Sequence, residues 1–482
     1  MIRSISLLRW LSILVLILST VSCSDSSSGG SSTEFLAVER WNKIACDTSG
    51  IDHAPADVGP PHVQGEQLGP CRASRALAIT QIAVFEAINA TTGTFESYIG
   101  LAPATNPVSL PAAIAQAAHD ALVALFPSQF ARLDDLLFQA LATIPDGPEK
   151  SDGVGLGQSA AQAILALRAG DGSEIPEPLI NVDYIPGDAP GIWRQDPISQ
   201  IPIALGANWA QVTPFVLESA DQFAVPPPPP ITTTEYAIAY DEAMRLGGDG
   251  VITPTERTEE QTFIGLYWAY DGTPSLCAPP RLYNQIASQI AAEQGLDAGE
   301  FARLLALVNV ALADAGIAIW ESKYFYAYWR PVCAVRESDP GTGPTGLGDD
   351  NDATLGDVNF NPIGAPASNE SGPNFTPPFP TYPSGHAGFG GALFQTLRRF
   401  FGTDDISFTF VSDEFNGITV DSFGQVRPLS PRTFSSLSAA EDENGQSRIY
   451  LGIHWRFDKT YGIFQGREVA DFVFDSIYQK VE

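Results

Sequence analysis

Apolar residues recur at helical spacing along most of the chain. This pattern predicts helices over residues 73–90, 112–126, 129–143, 156–169, 235–245, 283–292 and 301–329. The chain has no long alternating pattern of the kind that strands show. The five prolines at 226–230 predict an extended connector between a front and a rear helical half, and the Gly-, Pro-, Asn- and Asp-rich stretch 338–381 predicts a long loop. The fold class predicted is therefore all-α.

The N-terminus is typical of an export signal. Arg3 and Arg9 form a positive n-region, and the apolar run that follows, Trp10 to Val21, is too short to span a bilayer comfortably. Cys23 and a Ser/Gly-rich tether follow. We expect a bacterial lipoprotein lipidated at Cys23, exported and membrane-anchored in the periplasm or at the cell surface; a secreted protein with a cleaved signal is the alternative. The predicted divisions are a signal at 1–23, a tether at 24–35 and helical halves at 36–225 and 226–482.

Composition narrows the possible functions. The 482 residues are 44% hydrophobic, which is enough for a sizeable core. The 26 Lys and Arg against 56 Asp and Glu give a net charge of −30, and such a surface repels nucleic acid and anionic membranes. Any local cluster of basic residues is therefore informative. The remaining cysteines lack zinc-site spacing and could form disulfides or stay free; they are Cys46, Cys71, Cys277 and Cys333.

A first basic segment contains Lys323 and Arg330, seven residues apart. On one helix this spacing is two turns, so both cations would share a face, and Pro331 would end the helix. The aromatic neighbours, Trp320 among them, favour a partly buried setting. Two buried cations without partners would be costly, so the segment indicates a bound anion.

A second segment reads Pro-Ser384-Gly385-His386 and should open a helix that runs to about residue 401. Backbone N–H groups at a helix start attract anions. Ser384 can donate its hydroxyl, Gly385 allows close approach of the backbone, and His386 could act as an acid or a base.

A third segment supplies Arg448, whose planar fork of donors suits oxyanions, and then His454 and Asp458. A spacing of four on one helix would let the carboxylate hold one imidazole nitrogen and leave the other available. The three segments together predict a site for a tetrahedral oxyanion.

In this order the segments read K-x6-R-P, P-S-G-H and S-R-x3-G-x-H-x3-D, which resembles the vanadium-dependent haloperoxidases and the type 2 phosphatidic acid phosphatase superfamily. Residues 267–284 and 73–89 are similar to the chloroperoxidase branch. The resemblance implies two four-helix bundles packed as one unit, with the site in the second. It also implies vanadate (V5+) as the cofactor and hydrogen peroxide and halide as substrates. Hypohalous acid would be the product and would react with small organic compounds.

The same resemblance assigns roles to individual residues. His454 would be the axial vanadium ligand and His386 the acid/base. The vanadate oxygens would be bound by Lys323, Arg330, Ser384, Gly385 and Arg448, beside His386. Asp271 would orient the third arginine and Asp458 would orient His454. Trp320 and Phe379 would form the halide pocket, with Phe379 favouring chloride.

Two other functions remain open. An acid phosphatase of the same superfamily could use His454 as the nucleophile and His386 to protonate the leaving group. The chain length and the Trp320/Phe379 wall argue against it. The other possibility is a non-catalytic, anion-binding lipoprotein, against which the intact motif set argues. In all three cases we expect no nucleic-acid partner and membrane contact only through the lipid anchor; the oligomeric state is left open.

Overall fold

The computed structural model describes residues 32–481, and the elements in this range are almost all helices. The helices are α1 (Thr33–Asp52), α2 (Gly69–Thr92), α3 (Leu110–Leu125), α4 (Phe130–Ala142), α5 (Pro148–Leu167), α6 (Thr234–Gly247), α7 (Glu259–Tyr267), α8 (Pro279–Glu293), α9 (Ala298–Tyr326), α10 (Pro331–Glu337), α11 (Gly385–Phe401), α12 (Leu437–Tyr450) and α13 (Arg456–Ser476). Two short antiparallel strands, β1 (Phe408–Phe410) and β2 (Arg432–Phe434), pair Phe408 with Phe434. Single 3-10 turns lie at Pro127–Gln129, Trp209–Gln211 and Asp413–Phe415.

The predicted all-α class is confirmed, and a helix overlaps each segment that shows helical spacing. Residues 226–230 and the stretch between α10 and α11 contain neither a helix nor a strand, as their composition predicts. The four cysteines from Cys46 onward are buried free thiols, so the unpaired alternative holds for them. The predicted signal and most of the tether, including Cys23, lie outside the described residues.

Helix α9 is the central element of the core. Asp297 and Glu300 form a capping box at its start, and 22 of its 29 residues are buried. It is long and apolar enough to cross a membrane, but 94% of its most apolar window is buried inside the protein, as expected of a core helix. It packs against α2 from the first half of the chain and against α11 and α13 from the second.

Helices α11 and α13 pack with their backbones in close contact because glycines line both surfaces. A Cβ on Gly466 would lie only 1.9 Å from the carbonyl oxygen of Gly388, and one on Gly391 only 2.5 Å from that of Ile463. Larger side chains would therefore separate the two helices. This close packing brings the N-terminus of α11 next to the N-terminus of α13.

Two details predicted from sequence are wrong. Helix α9 ends at Tyr326, Ala327 adopts a left-handed conformation, and Arg330 becomes the N-cap of α10. Pro331 thus begins a helix instead of ending one, because the first helical position needs no N–H donor. Lys323 and Arg330 therefore do not share one helical face.

The other correction concerns His454. It lies in the turn between α12 and α13, so His454 and Asp458 are not on one helix. Asp458 is the third residue of α13 and still reaches back to the turn. The predicted contact between the two side chains forms through this capping geometry.

Candidate active site

The imidazole of His454 is held by the first turn of α13. The Asp458 carboxylate accepts hydrogen bonds from His454 Nδ1 at 2.7 Å and from the backbone N–H of Trp455 at 3.1 Å. The Thr381 hydroxyl donates to the same carboxylate oxygen. With its proton on Nδ1, His454 turns the lone pair of Nε2 towards Arg330 Nη1, 3.1 Å away. The ring therefore presents a neutral, oriented nitrogen.

Two buried guanidinium groups lie beside this ring. Arg330 donates from Nε to the carbonyl of Phe379 (3.0 Å) and from Nη1 to that of Ile453 (2.8 Å). Arg448 donates from Nη2 to Asp271 Oδ1 at 2.6 Å. Within residues 32–481, Arg330 Nη2 and Arg448 Nε and Nη1 have no hydrogen-bond partner, although both side chains are almost fully buried. Unsatisfied donors at such depth are costly, so the geometry calls for an anionic acceptor.

Lys323 is arranged differently from the two arginines. Its ammonium group donates to the carbonyls of Pro380 (2.9 Å), Thr381 (2.9 Å) and Pro383 (2.5 Å). These three bonds use all of its donors. Lys323 thus fixes the turn that leads into Ser384, and it does not border the cavity described below. Direct contact between Lys323 and an oxyanion stays a prediction.

The start of α11 supplies backbone donors. Ser384 is the N-cap, and its hydroxyl accepts the N–H of Ala387 at 3.4 Å. Gly385 is the first helical residue, so its N–H has no intrahelical partner. A Cβ at Gly385 would stand 3.1 Å from the ring of Trp320, whose centroid is 4.8 Å from that of Phe379. Glycine therefore lets the aromatic wall approach the helix terminus.

His386 is fixed from two sides. Its Nε2 donates to the carbonyl of Ala269 and lies 3.9 Å from Asp271 Oδ1. Its own carbonyl accepts from Tyr283 at 2.8 Å and from Asn444 at 2.9 Å. The ring and the backbone of His386 are therefore both held in place next to Arg448.

The charges around these residues are unbalanced. Burial lowers the pKa of His454 well below its usual range, and Arg330 lowers it further; for His386, burial and then Arg448 act in the same way. Burial also lowers the pKa of Arg330 to about 9 and the pKa of Lys323 well below normal. Because cations outnumber carboxylates here, a bound oxyanion would stabilise the charged arginines.

A cavity of about 330 Å³ lies beside these residues, although Arg330, Ser384 and Asp458 do not border it. Its polar end is formed by Asp271, Gly385, His386, Arg448 and His454, and Trp320 and Phe379 form an aromatic wall. The rest of its lining is mostly apolar and includes Leu68, Pro70, Ile201, Ile203, Leu205, Phe375, Pro377 and Pro378, with His53 and Glu370 also bordering it. The structure therefore brings together the site residues predicted from sequence, with Lys323 beneath the turn and Cys23 outside the described range.

Sequence reasoning missed several contributors. Thr381 stands inside the Phe-Pro-Thr-Tyr-Pro-Ser-Gly-His segment, so a closer study of that motif could have found it. The carbonyls of Ala269 and Ile453 have no signature in the sequence, because any residue type carries a carbonyl.

Comparison with known proteins gives consistent matches. Residues 303–482 match the family model described as the VCPO second helical-bundle domain. A vanadium chloroperoxidase of Curvularia inaequalis is 37% identical over 287 residues, which cover 52% of this chain and 45% of that protein. The chain therefore spans less than half the length of that relative.

Solved structures extend the likeness in fold to most of the chain. A bacterial vanadium-dependent iodoperoxidase superposes with a TM-score of 0.72 at 23% identity, over 93% of this chain and 97% of that one. An apo-type bacterial vanadium-dependent chloroperoxidase superposes with a TM-score of 0.61 at 17% identity, over 85% and 94% of the two chains. At these identities the superpositions establish a shared fold.

Proposed function

Because residues 303–482 carry the second helical-bundle domain of the vanadium chloroperoxidases and the chain has the vanadium haloperoxidase fold, we propose that this protein is a vanadate-dependent haloperoxidase. It would oxidise halide with hydrogen peroxide to hypohalous acid. The observation that carries the proposal is the set of buried guanidinium nitrogens without acceptors on Arg330, which contacts His454 Nε2, and on Arg448, which borders the same cavity as His454.

The donor set suits vanadate. His454 offers a neutral imidazole nitrogen, and its Nδ1 proton is held by Asp458, the usual arrangement for a metal-binding histidine. Arg330 Nη2, Arg448 Nε and Nη1, and the N–H of Gly385 would bind the vanadate oxygens. When bound, vanadate would supply a Lewis-acidic centre that activates peroxide towards nucleophilic halide.

His386 is suited to move protons during the reaction. Its lowered pKa keeps the ring neutral near neutral pH, and Nε2–H is engaged with the Ala269 carbonyl. Nδ1 is therefore the atom that would accept a proton from peroxide and return it to the product. Asp271 orients Arg448 through their 2.6 Å ion pair, so the fork keeps its remaining donors directed at the anion.

The cavity suggests how the other substrates enter. Trp320 and Phe379 limit the water near the polar end, where a halide would give up part of its hydration. Phe379 also places an apolar ring over Arg330, with 5.0 Å between the guanidinium carbon and the ring centroid. This arrangement supports the expectation that the enzyme can oxidise chloride. The mostly apolar outer walls would admit small neutral organic compounds, which hypohalous acid could then halogenate.

The phosphatase alternative has one observation in its favour. Phosphate and vanadate are both tetrahedral oxyanions, and His454 is oriented by Asp458 as a nucleophile would need to be. The same pocket could also bind an anion without catalysis. The experiment must therefore separate three outcomes.

We would prepare residues 32–482 without vanadate, add or omit orthovanadate, and follow peroxide-dependent oxidation of iodide, bromide and chloride. A parallel sample would measure phosphate-ester hydrolysis. Vanadate-dependent halide oxidation would support the proposal. Ester hydrolysis that vanadate inhibits would favour the phosphatase, and anion binding without turnover would favour the non-catalytic function.

Halide preference can be tested with one substitution. Phe379→His replaces the apolar ring over Arg330, and we expect chloride oxidation to fall more than bromide or iodide oxidation. Phe375→His is the matched control, because Phe375 borders the same cavity away from the Trp320 ring. An equal loss for all three halides would contradict the role of Phe379.

We also propose that the protein is exported and lipidated at Cys23, which rests on the sequence of the first 30 residues alone. Expression in a bacterium fed a labelled fatty acid would test it. The label should appear in the membrane fraction and should be lost in Cys23→Ser. A wild-type protein that carries no label would point to simple secretion.

A further inference from the structure

A short loop after α7 carries two of the contacts that organise the active site. The carbonyl of Ala269 accepts the hydrogen bond from His386, and Asp271 forms the ion pair with Arg448. Tyr270 lies between them and adopts a left-handed backbone conformation, with φ of +46°. This region is unfavourable for a bulky residue, so the surrounding structure must hold the loop in place.

The residues that hold Tyr270 come from the segment that follows β1. The Glu414 carboxylate accepts the backbone N–H of Tyr270 at 3.3 Å. The Tyr270 hydroxyl accepts the N–H of Asp413 at 2.6 Å and donates to the side chain of Gln285 at 3.0 Å. One turn earlier, the Ser412 hydroxyl donates to the carbonyl of Tyr267 at 2.6 Å. Segment 412–414 therefore contacts the loop at both its backbone and its side chain.

Glu414 is itself fixed from the opposite side. It is fully buried, and its second carboxylate oxygen accepts hydrogen bonds from Arg427 and from the hydroxyl of Ser368 at 2.6 Å. Burial raises the pKa of this carboxyl to about 7, although Arg427 partly offsets the effect. Glu414 does not border the cavity and touches none of the cavity-lining arginines or histidines. Its contacts instead connect Arg427 and Ser368 to the backbone of the loop that follows α7.

We propose that Glu414 is a positioning residue of the active site, which fixes the backbone of Tyr270 and so aims Ala269 at His386 and Asp271 at Arg448. A role for Glu414 in catalysis depends on the proposed haloperoxidase function, whereas its role in holding the loop does not. A purely structural ion pair would stabilise the fold without any specific effect on the loop or on the oxyanion pocket. The two roles therefore differ in what a substitution changes locally.

Glu414→Gln keeps the size of the side chain and removes its charge. We expect amide hydrogen exchange to rise at least about fivefold in a peptide covering residues 266–272, because the loop opens more often. Orthovanadate affinity, measured by calorimetry, should fall about tenfold through the loss of Arg448 alignment. Asp171→Asn is the matched control: Asp171 is a buried carboxylate that pairs with Arg75 and Arg168 far from this loop in sequence.

A double-mutant cycle tests whether Glu414 acts through Asp271. In an Asp271→Asn background, Glu414→Gln should add little further loss of vanadate affinity, whereas independent residues would show additive losses. Full additivity, or unchanged exchange in residues 266–272, would overturn the proposal. Should Glu414→Gln fail to fold, Ser368→Ala removes one hydrogen bond to Glu414, and we expect a smaller rise in exchange in the same peptide. If wild-type protein binds no vanadate, the proposed function fails, while the exchange data still decide whether Glu414 holds the loop.

Discussion

Substituting Arg448 by lysine separates the shape of the guanidinium group from its charge. Arg448 is about 1% exposed, and only its Nη2 is used, in the ion pair with Asp271. Its Nε and Nη1 have no acceptor among residues 32–481. A lysine keeps the positive charge and can still pair with Asp271, but its single nitrogen cannot also reach the oxyanion as a fork does.

The expected effect follows from the two lost donors. A hydrogen bond to a charged group contributes roughly 1.5–3 kcal/mol, so losing two costs at least about 3 kcal/mol. Because about 1.4 kcal/mol corresponds to a tenfold change in affinity, orthovanadate should bind roughly 150-fold more weakly to Arg448→Lys. The retained charge keeps Asp271 from being left buried and unpaired, which limits the loss of stability.

Calorimetric titration of the apoprotein with orthovanadate measures this change, with circular dichroism as a check on folding. Arg75→Lys is the matched control, because Arg75 is similarly buried and pairs with Asp171 in the first half of the chain. It should leave the vanadate dissociation constant unchanged. If Arg448→Lys binds vanadate within about threefold of the wild type, the forked donors do not hold the anion and the reasoning from unsatisfied nitrogens is refuted.

Three further predictions concern histidines. His454→Ala should abolish vanadate binding and peroxidase activity, and retained affinity in a titration would remove His454 as the ligand. His386→Ala should lose halide oxidation far more than vanadate affinity; unchanged turnover would exclude it from proton transfer. For His119, burial lowers the pKa, but hydrogen bonds to Asp120 and Asp134 outweigh burial and raise it. The stability from this imidazolium is therefore present below the usual pKa of 6.5 and is lost as pH rises through the higher folded value. In thermal unfolding, the midpoint temperature of His119→Asn should lie further below that of the wild type at about pH 6 than at about pH 9. An equal difference in midpoint temperature at both pH values would contradict this prediction.

The sequence predicted the fold class and most helices because each buried helix repeats its apolar face with a regular period. The three basic and histidine-containing segments also predicted an oxyanion site, because such clusters are informative in a chain of charge −30; Asp271 and Phe379 were implied only by the family resemblance. Helix ends were harder to predict. Pro331 is compatible with both the end of one helix and the start of another, and the sequence pattern does not show that α9 already ends at Tyr326.

The sequence could not show how the site is supported. Nothing in the residue pattern indicates that Lys323 donates its three hydrogen bonds to backbone carbonyls in the turn before Ser384. Tyr270 gives no sign of its left-handed conformation, because tyrosine rarely adopts it and the cause lies in Glu414, more than 140 residues away. Such features depend on contacts between distant segments, which periodicity and spacing do not encode.

The candidate site is built largely from helix ends, an arrangement that would favour binding of an anion. Arg330 is the N-cap of α10, Gly385 begins α11, and His454 precedes α13, so three N-terminal ends converge. The starts of α11 and α13 carry partial positive charge from N–H groups without intrahelical acceptors, whereas the short α10 begins with Pro331, which has no N–H. At α13 the Asp458 carboxylate accepts the backbone N–H of Trp455, while Gly385 at the start of α11 and the guanidinium group of Arg448 border the cavity. Because rigid packing fixes these donors, an oxyanion would bind with little reorganisation, which is the condition under which electrostatic stabilisation is strongest.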